Sequence, residues 1–224
     1  MNIKFKHLTK RTITGLILGA LFWISFLYLP SWFFSIVIIT ILVQIIIFEW
    51  TRLFNPHDFL FWIMLPLYPI LPFALIIWMN HSCYRPLLFI LFILVSAHDT
   101  GSYLIGTLFG KHYINPLISP GKTWEGFLGG YLFGIAGLWL ALYELGDKKP
   151  IGFIFIFALI ICITALLGDL FESWLKRRVN LKDSGDILPG HGGFLDRFDG
   201  IMFTVFFFYL LRDWLLHYFA TIHC

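Results

Sequence analysis

Long apolar runs alternate with short polar breaks from near the start of the chain to its end. Seven apolar segments can be drawn, at about 12–29, 31–49, 59–79, 86–108, 125–144, 151–175 and 198–218. Each approaches the ~20 residues that an α-helix needs to cross a hydrocarbon core about 30 Å thick. The pattern predicts an all-α, polytopic integral membrane protein with about seven transmembrane helices. Pro30-Ser31 predicts a tight turn between the first two. The third segment carries Pro66, Pro69 and Pro72, which predict a kink or break whose freed carbonyls are satisfied by neighbouring helices.

Composition agrees. Of the 224 residues, 59% are hydrophobic, 20% aromatic and only 13% charged. The mean hydropathy is +0.83, and soluble domains are less apolar than this. The N-terminal MNIKFKHLTKRT is basic and runs into an apolar stretch, as a signal peptide would. The run from Ile13 to Leu29 nevertheless reaches Pro30 without a small-residue cleavage site, which predicts a retained helix. Cys83, Cys162 and Cys224 show no pair or metal spacing; Cys162 reads as packing, and a Cys83–Cys224 disulfide is not expected.

The net charge of +3 matters less than its placement. With the N-terminus inside, one side of the membrane holds Lys4, Lys6, Lys10, Arg11, Arg52, Lys111, Lys122, Lys176, Arg177, Arg178, Lys182 and Arg197. The other holds Arg85, Lys148 and Lys149, with Arg212 inside the last span. Positive charge accumulates on the cytoplasmic side, so the N-terminus is expected in the cytoplasm.

Two spans carry acids that an anchoring helix does not need. The stretch from Pro86 to Ala97 covers only about 18 Å as a helix, so the span must continue through His98, Asp99 and Thr100. Asp99, Ser102, Tyr103 and Gly106 then share one polar, small face. Asp169, Glu172, Ser173 and Lys176 share another at the end of the sixth segment. Structural contacts between helices would account for one such acid. Two acidic faces beside Gly-rich loops point instead to a cavity. Gly126, Gly130 and Gly134, at four-residue spacing, are best explained by close helix packing.

Ser119-Pro-Gly-Lys122-Thr123-Trp-Glu125 invites a P-loop reading, but Pro116 stands where that motif requires its first glycine. What remains is a lysine and two hydroxyls at a helix start, a place suited to an anion or an ordinary turn.

The polar residues concentrate between Ser173 and Asp199. Asp196 and Asp199 are one turn apart at the start of the last segment, and Asp169 closes the previous one. A loop with Gly190, Gly192 and Gly193 can fold these ends together. Carboxylates converging on a phosphate suit Mg²⁺, while Lys176, Arg177, Lys182 and Arg197 would balance the remaining charge. A juxtamembrane loop binding anionic lipid explains Lys176-Arg177-Arg178 but not the interleaved aspartates. His191 reads most safely as a hydrogen-bonded structural residue.

Ser173-Trp-Leu-Lys-Arg, then Lys182-Asp183-Ser-Gly185, then Leu188-Pro-Gly-His191-Gly192-Gly193-Phe-Leu-Asp196-Arg197-Phe-Asp199 resembles the signature of the phosphatidate cytidylyltransferase (CDP-diacylglycerol synthase) family. Asp99-Thr-Gly-Ser-Tyr103, Gly110-Lys111 and Ser119 to Gly126 resemble its upstream blocks, and the resemblance runs from about Ala97 to Gly200. His98 and Ser102 depart from the pattern, which has a small residue and alanine there. Residues 1–96 are read as N-terminal membrane helices and 97–224 as the catalytic membrane region of one membrane domain.

The resemblance implies transfer of a cytidylyl group from CTP to phosphatidic acid at the cytoplasmic face of a bacterial inner membrane. It implies Mg²⁺ and a second, monovalent cation such as K⁺. On this reading Asp169 and Asp196 are the main metal ligands and Asp199 the third. Lys122, Lys176, Arg177, Lys182 and Arg197 hold the triphosphate and lipid phosphate. Asp99 and Tyr103 line the intramembrane side, and Ser119, Ser173, Asp183, His191, Gly192 and Gly193 join the substrate site. The partners are CTP, phosphatidic acid and the bilayer, with no nucleic acid; a homodimer is left open. Two alternatives are a CTP-dependent lipid kinase or related lipid cytidylyltransferase, and an ion-coupled transporter. Transporters are expected to show repeated halves, which this chain lacks. Asp199-Gly200 continues as Ile201-Met202-Phe203, not as the pattern of CDP-alcohol phosphotransferases.

Overall fold

The computed structural model describes residue 15 and residues 17–146, 149–187 and 192–219. Its helices follow the apolar runs: α1 (Ile17–Leu27), α2 (Ser31–Leu53), α3 (Phe59–Asn80), α4 (Arg85–Phe109), α5 (Trp124–Glu144) and α6 (Ile151–Arg178). The last apolar run is broken into α7 (Leu195–Leu210) and α8 (Arg212–Tyr218), bent by 74°. Among the described residues, five helices are long and apolar enough to span a membrane, or six if the bent pair is one span. Residues 12–14 and 16 of the expected first span lie outside the described residues. The fold is that of an all-α polytopic membrane protein.

Local sequence explains the departures from ideal helix. Pro30 precedes α2 and makes the tight turn expected there. Pro66 and Pro69 do not break α3; they are absorbed in a π-helical turn over Pro66–Ile70. A wider turn accommodates a residue that cannot donate to the helical ladder. A second π-helical stretch, Ile45–Trp50, lies near the end of α2.

One feature was not expected. Between α4 and α5 the chain forms an antiparallel hairpin, β1 (Tyr113–Asn115) with β2 (Ser119–Thr123), pairing Tyr113 with Thr123 and Asn115 with Ser119. Lys122 therefore stands on a strand. The helix begins only after Thr123, whose hydroxyl accepts from the Gly126 N–H as an N-cap.

Glycines set the helix spacing. A Cβ on Gly101 of α4 would stand 2.8 Å from the Gly129 carbonyl of α5, and one on Gly137 would stand 2.8 Å from Ala97 Cβ. On the other side of the bundle, a Cβ on Gly168 of α6 would stand 2.5 Å from the Asp199 carbonyl oxygen of α7. One on Gly200 would stand 3.0 Å from Asp169 Oδ1. The packing role expected of the α5 glycines holds. The rest of the interior is aromatic, with Phe34, Trp50, Phe73, Phe92 and Phe208 fully buried. Many large apolar side chains, such as Trp62 and Leu108, face outward, as a lipid-facing surface requires.

The connections gather at two ends of the bundle. At one end Arg52 pairs with Asp186 at 2.9 Å, and Arg177 donates to the Ile118 carbonyl at 3.1 Å. At the other, Asn80 donates to the Ser31 carbonyl at 2.8 Å, Tyr84 hydrogen-bonds Asp213, and Lys149 donates to the Tyr218 carbonyl at 2.5 Å. Segments that the charge pattern assigned to one side of the membrane thus meet one another. Cys162 is buried and free. Cys83 is disulfide-bonded; the pairing weighed with Cys224 lies outside the described residues.

Candidate active site

The crossing of α6 and α7 at Gly168 and Gly200 brings Asp169 and Asp199 together. They line a cavity of about 340 Å³ whose other walls are α4, the start of α5 and the β-hairpin. Asp99 and Tyr103 enter it from α4, Lys122 from β2, and Ser173 and Lys176 from α6. Asp183, Asp196 and Arg197 complete the polar lining. Ten predicted site residues from four parts of the chain share this space.

Their roles differ from one another. Lys122 forms an ion pair with Asp169 Oδ2, both side chains largely covered. Burial opposes the lysine's charge, but Asp169, Asp199 and Asp99 outweigh it and raise its pKa above the ordinary value. Lys122 is therefore a fixed cation. Asp169 Oδ1 is buried and has no partner. Asp199 Oδ1 accepts from the adjacent Gly200 N–H at 2.9 Å. Together they leave carboxylate acceptors beside the cavity, at helix positions held by the glycine crossing.

Asp196 is different. Its Oδ1 is 2.5 Å from Lys176 Nζ. Its Oδ2 faces the Ser184 N–H at 3.0 Å, the Ser184 hydroxyl at 3.0 Å and the Gly193 N–H at 2.8 Å. Lys176 also donates to Glu172 Oε2 at 2.8 Å, and Glu172 is completely buried. The expected metal ligand and the expected phosphate clamp pair with each other, and their remaining bonds go to Ser184, Gly193 and Glu172. They tie the end of α6 to the start of α7.

Among the described residues, no three His, Cys, Asp or Glu side chains stand grouped to hold a metal ion. Asp169, Asp196 and Asp199 are therefore not a preformed triad. The unpartnered Asp169 Oδ1 beside Asp199 fits a hard cation that takes part of its shell from phosphate oxygens and water.

Other expected site residues stand away from the cavity. Arg177 donates to the backbone carbonyls of Ile118 (3.1 Å) and Leu181 (2.9 Å), clamping the hairpin to the segment after α6. Arg177, Lys182, Ser119, Gly192 and Gly193 do not line the cavity. Gly192 has a φ of +77°, and a Cβ there would press on Asp196 Oδ2, so its part is to let the loop turn. His191 lies outside the described residues.

Residues 55–215 match the family described as the cytidylyltransferase family. The chain belongs to that family. It is 47% identical over 115 residues to a phosphatidate cytidylyltransferase of Mycobacterium leprae, a match covering 51% of this chain and 36% of the relative. To the enzyme of the same name from Staphylococcus haemolyticus it is 46% identical over 114 residues, covering 51% and 44%. To that of Mycobacterium bovis it is 46% identical over 119 residues, covering 51% and 37%. The chain thus spans less than half the length of these curated relatives.

His98 and Ser102 of α4 both pack against Gly130 of α5. A Cβ on Gly130 of α5 would stand 2.6 Å from His98 Nδ1 and would also collide with Ser102 Oγ. The missing side chain at Gly130 makes the room for both. Sequence reasoning missed two acids. Glu172 shares the expected polar face but carries no assigned role there, and Glu49 is not among the residues the sequence pattern singles out. The signal for Glu49 was available: it is the one carboxylate in the apolar run from Ser31 to Trp50, and such a residue needs a partner.

Proposed function

We propose that this chain transfers the cytidylyl group of CTP to phosphatidic acid, forming CDP-diacylglycerol and pyrophosphate. The observation that carries the reading is the cavity between α4, α6, α7 and the β-hairpin in which Lys122, Arg197, Asp99, Asp169 and Asp199 converge. Family membership and the names of the relatives support it.

The chemistry asks little covalent work of the protein. A phosphate oxygen of phosphatidate, already an anion near neutral pH, attacks the α-phosphorus of CTP. The new P–O bond forms as the bond to the β-phosphate bridging oxygen breaks, and the electron pair leaves with pyrophosphate. Positioning and charge neutralisation are what such a displacement requires. Lys122 and Arg197 supply fixed positive charge. Tyr103 and Asp99 line the cavity from α4. Asp169 and Asp199 would hold Mg²⁺, whose contribution is to neutralise phosphate charge.

We further propose that the protein lies in a bacterial inner membrane with the cavity opening to the cytoplasm. The excess of lysine and arginine at the cavity end supports this orientation.

The test is pyrophosphate release from CTP by purified protein in detergent. Release that requires both phosphatidic acid and Mg²⁺, with CDP-diacylglycerol formed in step, is expected. Release of CDP with an alcohol acceptor would replace the reading by a lipid kinase; absence of CTP binding would favour the transporter.

A further inference from the structure

Helix α7 carries Asp196, Arg197 and Asp199 into the cavity, yet it has no cap of its own: Phe194, its N-cap residue, makes no side-chain hydrogen bond. Its first N–H groups are satisfied from another helix. Glu49 of α2 accepts the Phe194 N–H at 2.8 Å on Oε1 and the Leu195 N–H at 2.9 Å on Oε2. The Ser184 hydroxyl stands 2.7 Å from Glu49 Oε2 and 3.0 Å from Asp196 Oδ2. With one proton it donates to one carboxylate at a time. Glu49 is completely buried.

The surroundings are shaped to admit this side chain. A Cβ on Gly185 would stand 3.0 Å from Glu49 Cγ, and one on Gly193 would collide with its carboxylate. Two glycines of the polar stretch thus make room for an acid far away in the chain. Glu49 itself sits in the π-helical stretch Ile45–Trp50, where wider winding re-aims side chains relative to an α-helix. It also lies outside residues 55–215, the part that matches the family.

We propose that Glu49 is a positioning residue of the active site, capping α7 from α2 so that Asp199 and Arg197 are held at the cavity. A carboxylate at a helix N-terminus satisfies free N–H groups and complements the dipole. Here it also couples the N-terminal helices to the reacting end of the bundle. The turnover arm of the test rests on the function proposed above; the exchange arm does not.

The experiment measures amide hydrogen exchange and CTP turnover for Glu49→Ala and Glu49→Gln in detergent. In Glu49→Ala the amides of Phe194 and Leu195 should exchange at least about tenfold faster, with α4 and α5 peptides unchanged. The kcat should fall at least about tenfold with KM for CTP within about twofold, because misplacement by about 1 Å is costly in a positioned reaction. Glu49→Gln keeps one carbonyl acceptor and should recover part of both effects. If Glu49→Ala does not insert, the glutamine variant carries both readouts. Wild-type exchange at Phe194 and Leu195, faster exchange with full turnover, or equal loosening of α4 and α5 would each overturn the proposal. A wild-type chain without CTP turnover would overturn the proposed function, while the exchange result would still decide whether Glu49 caps α7.

Discussion

Gly168 of α6 faces the backbone carbonyl of Asp199 so closely that a Cβ would stand 2.5 Å from that oxygen. Because the obstacle is backbone, one helix must move. Gly168→Ala should therefore separate Asp169 from Asp199 and cut turnover sharply, with an overpacking cost of about 1–3 kcal/mol. Gly200→Ala, whose new methyl would meet the Asp169 side chain at 3.0 Å, should do less. Turnover and thermal stability of both variants in detergent check the order.

Asp169 and Asp199 are expected to matter for chemistry more than for stability. Either change to Asn should lower pyrophosphate release by about 100-fold or more, the usual scale for a lost electrostatic stabiliser. The proteins should remain inserted and folded. Retained activity in Asp199→Asn would remove it from the site.

Asp196→Asn should behave differently. It breaks a buried pair with Lys176, a change that typically costs about 3–5 kcal/mol. Loss of thermal stability should accompany the loss of turnover, and a thermal melt beside the assay separates it from Asp169→Asn.

Lys122 and Arg177 provide a second contrast. Lys122→Met leaves Asp169 without its cation and should depress turnover strongly. Arg177→Ala removes two bonds to backbone carbonyls away from the cavity. It should cost about 1–3 kcal/mol of stability with kcat little changed in the folded fraction.

Chelation with EDTA should abolish turnover, and Mg²⁺ should restore it. Activity that survives chelation would mean that Asp169 and Asp199 serve without a divalent cation.

Much of this was legible in sequence. The apolar runs located the spans because burying backbone in hydrocarbon leaves the helix as the only local solution. The short run before His98 showed that α4 must continue past Asp99, and the helix runs on to Phe109. The α5 glycines announced a close helix pair. These inferences depend on neighbours a few residues apart, which is what a sequence displays directly.

Which donor each carboxylate takes depends instead on segments distant in the chain. Asp169, Asp196 and Asp199 look alike in sequence, but only the fold gives Asp196 to Lys176 and leaves Asp169 an unpaired oxygen. Glu49 reaches Phe194 across 145 residues of chain, through space that Gly185 and Gly193 leave open. The sequence by itself determined a helical membrane protein with one concentrated polar stretch, since hydrophobicity and helix period act locally. The tertiary structure alone decided which charges face the cavity and which are consumed in holding it, because pairing a buried charge depends on what packing brings within about 3 Å.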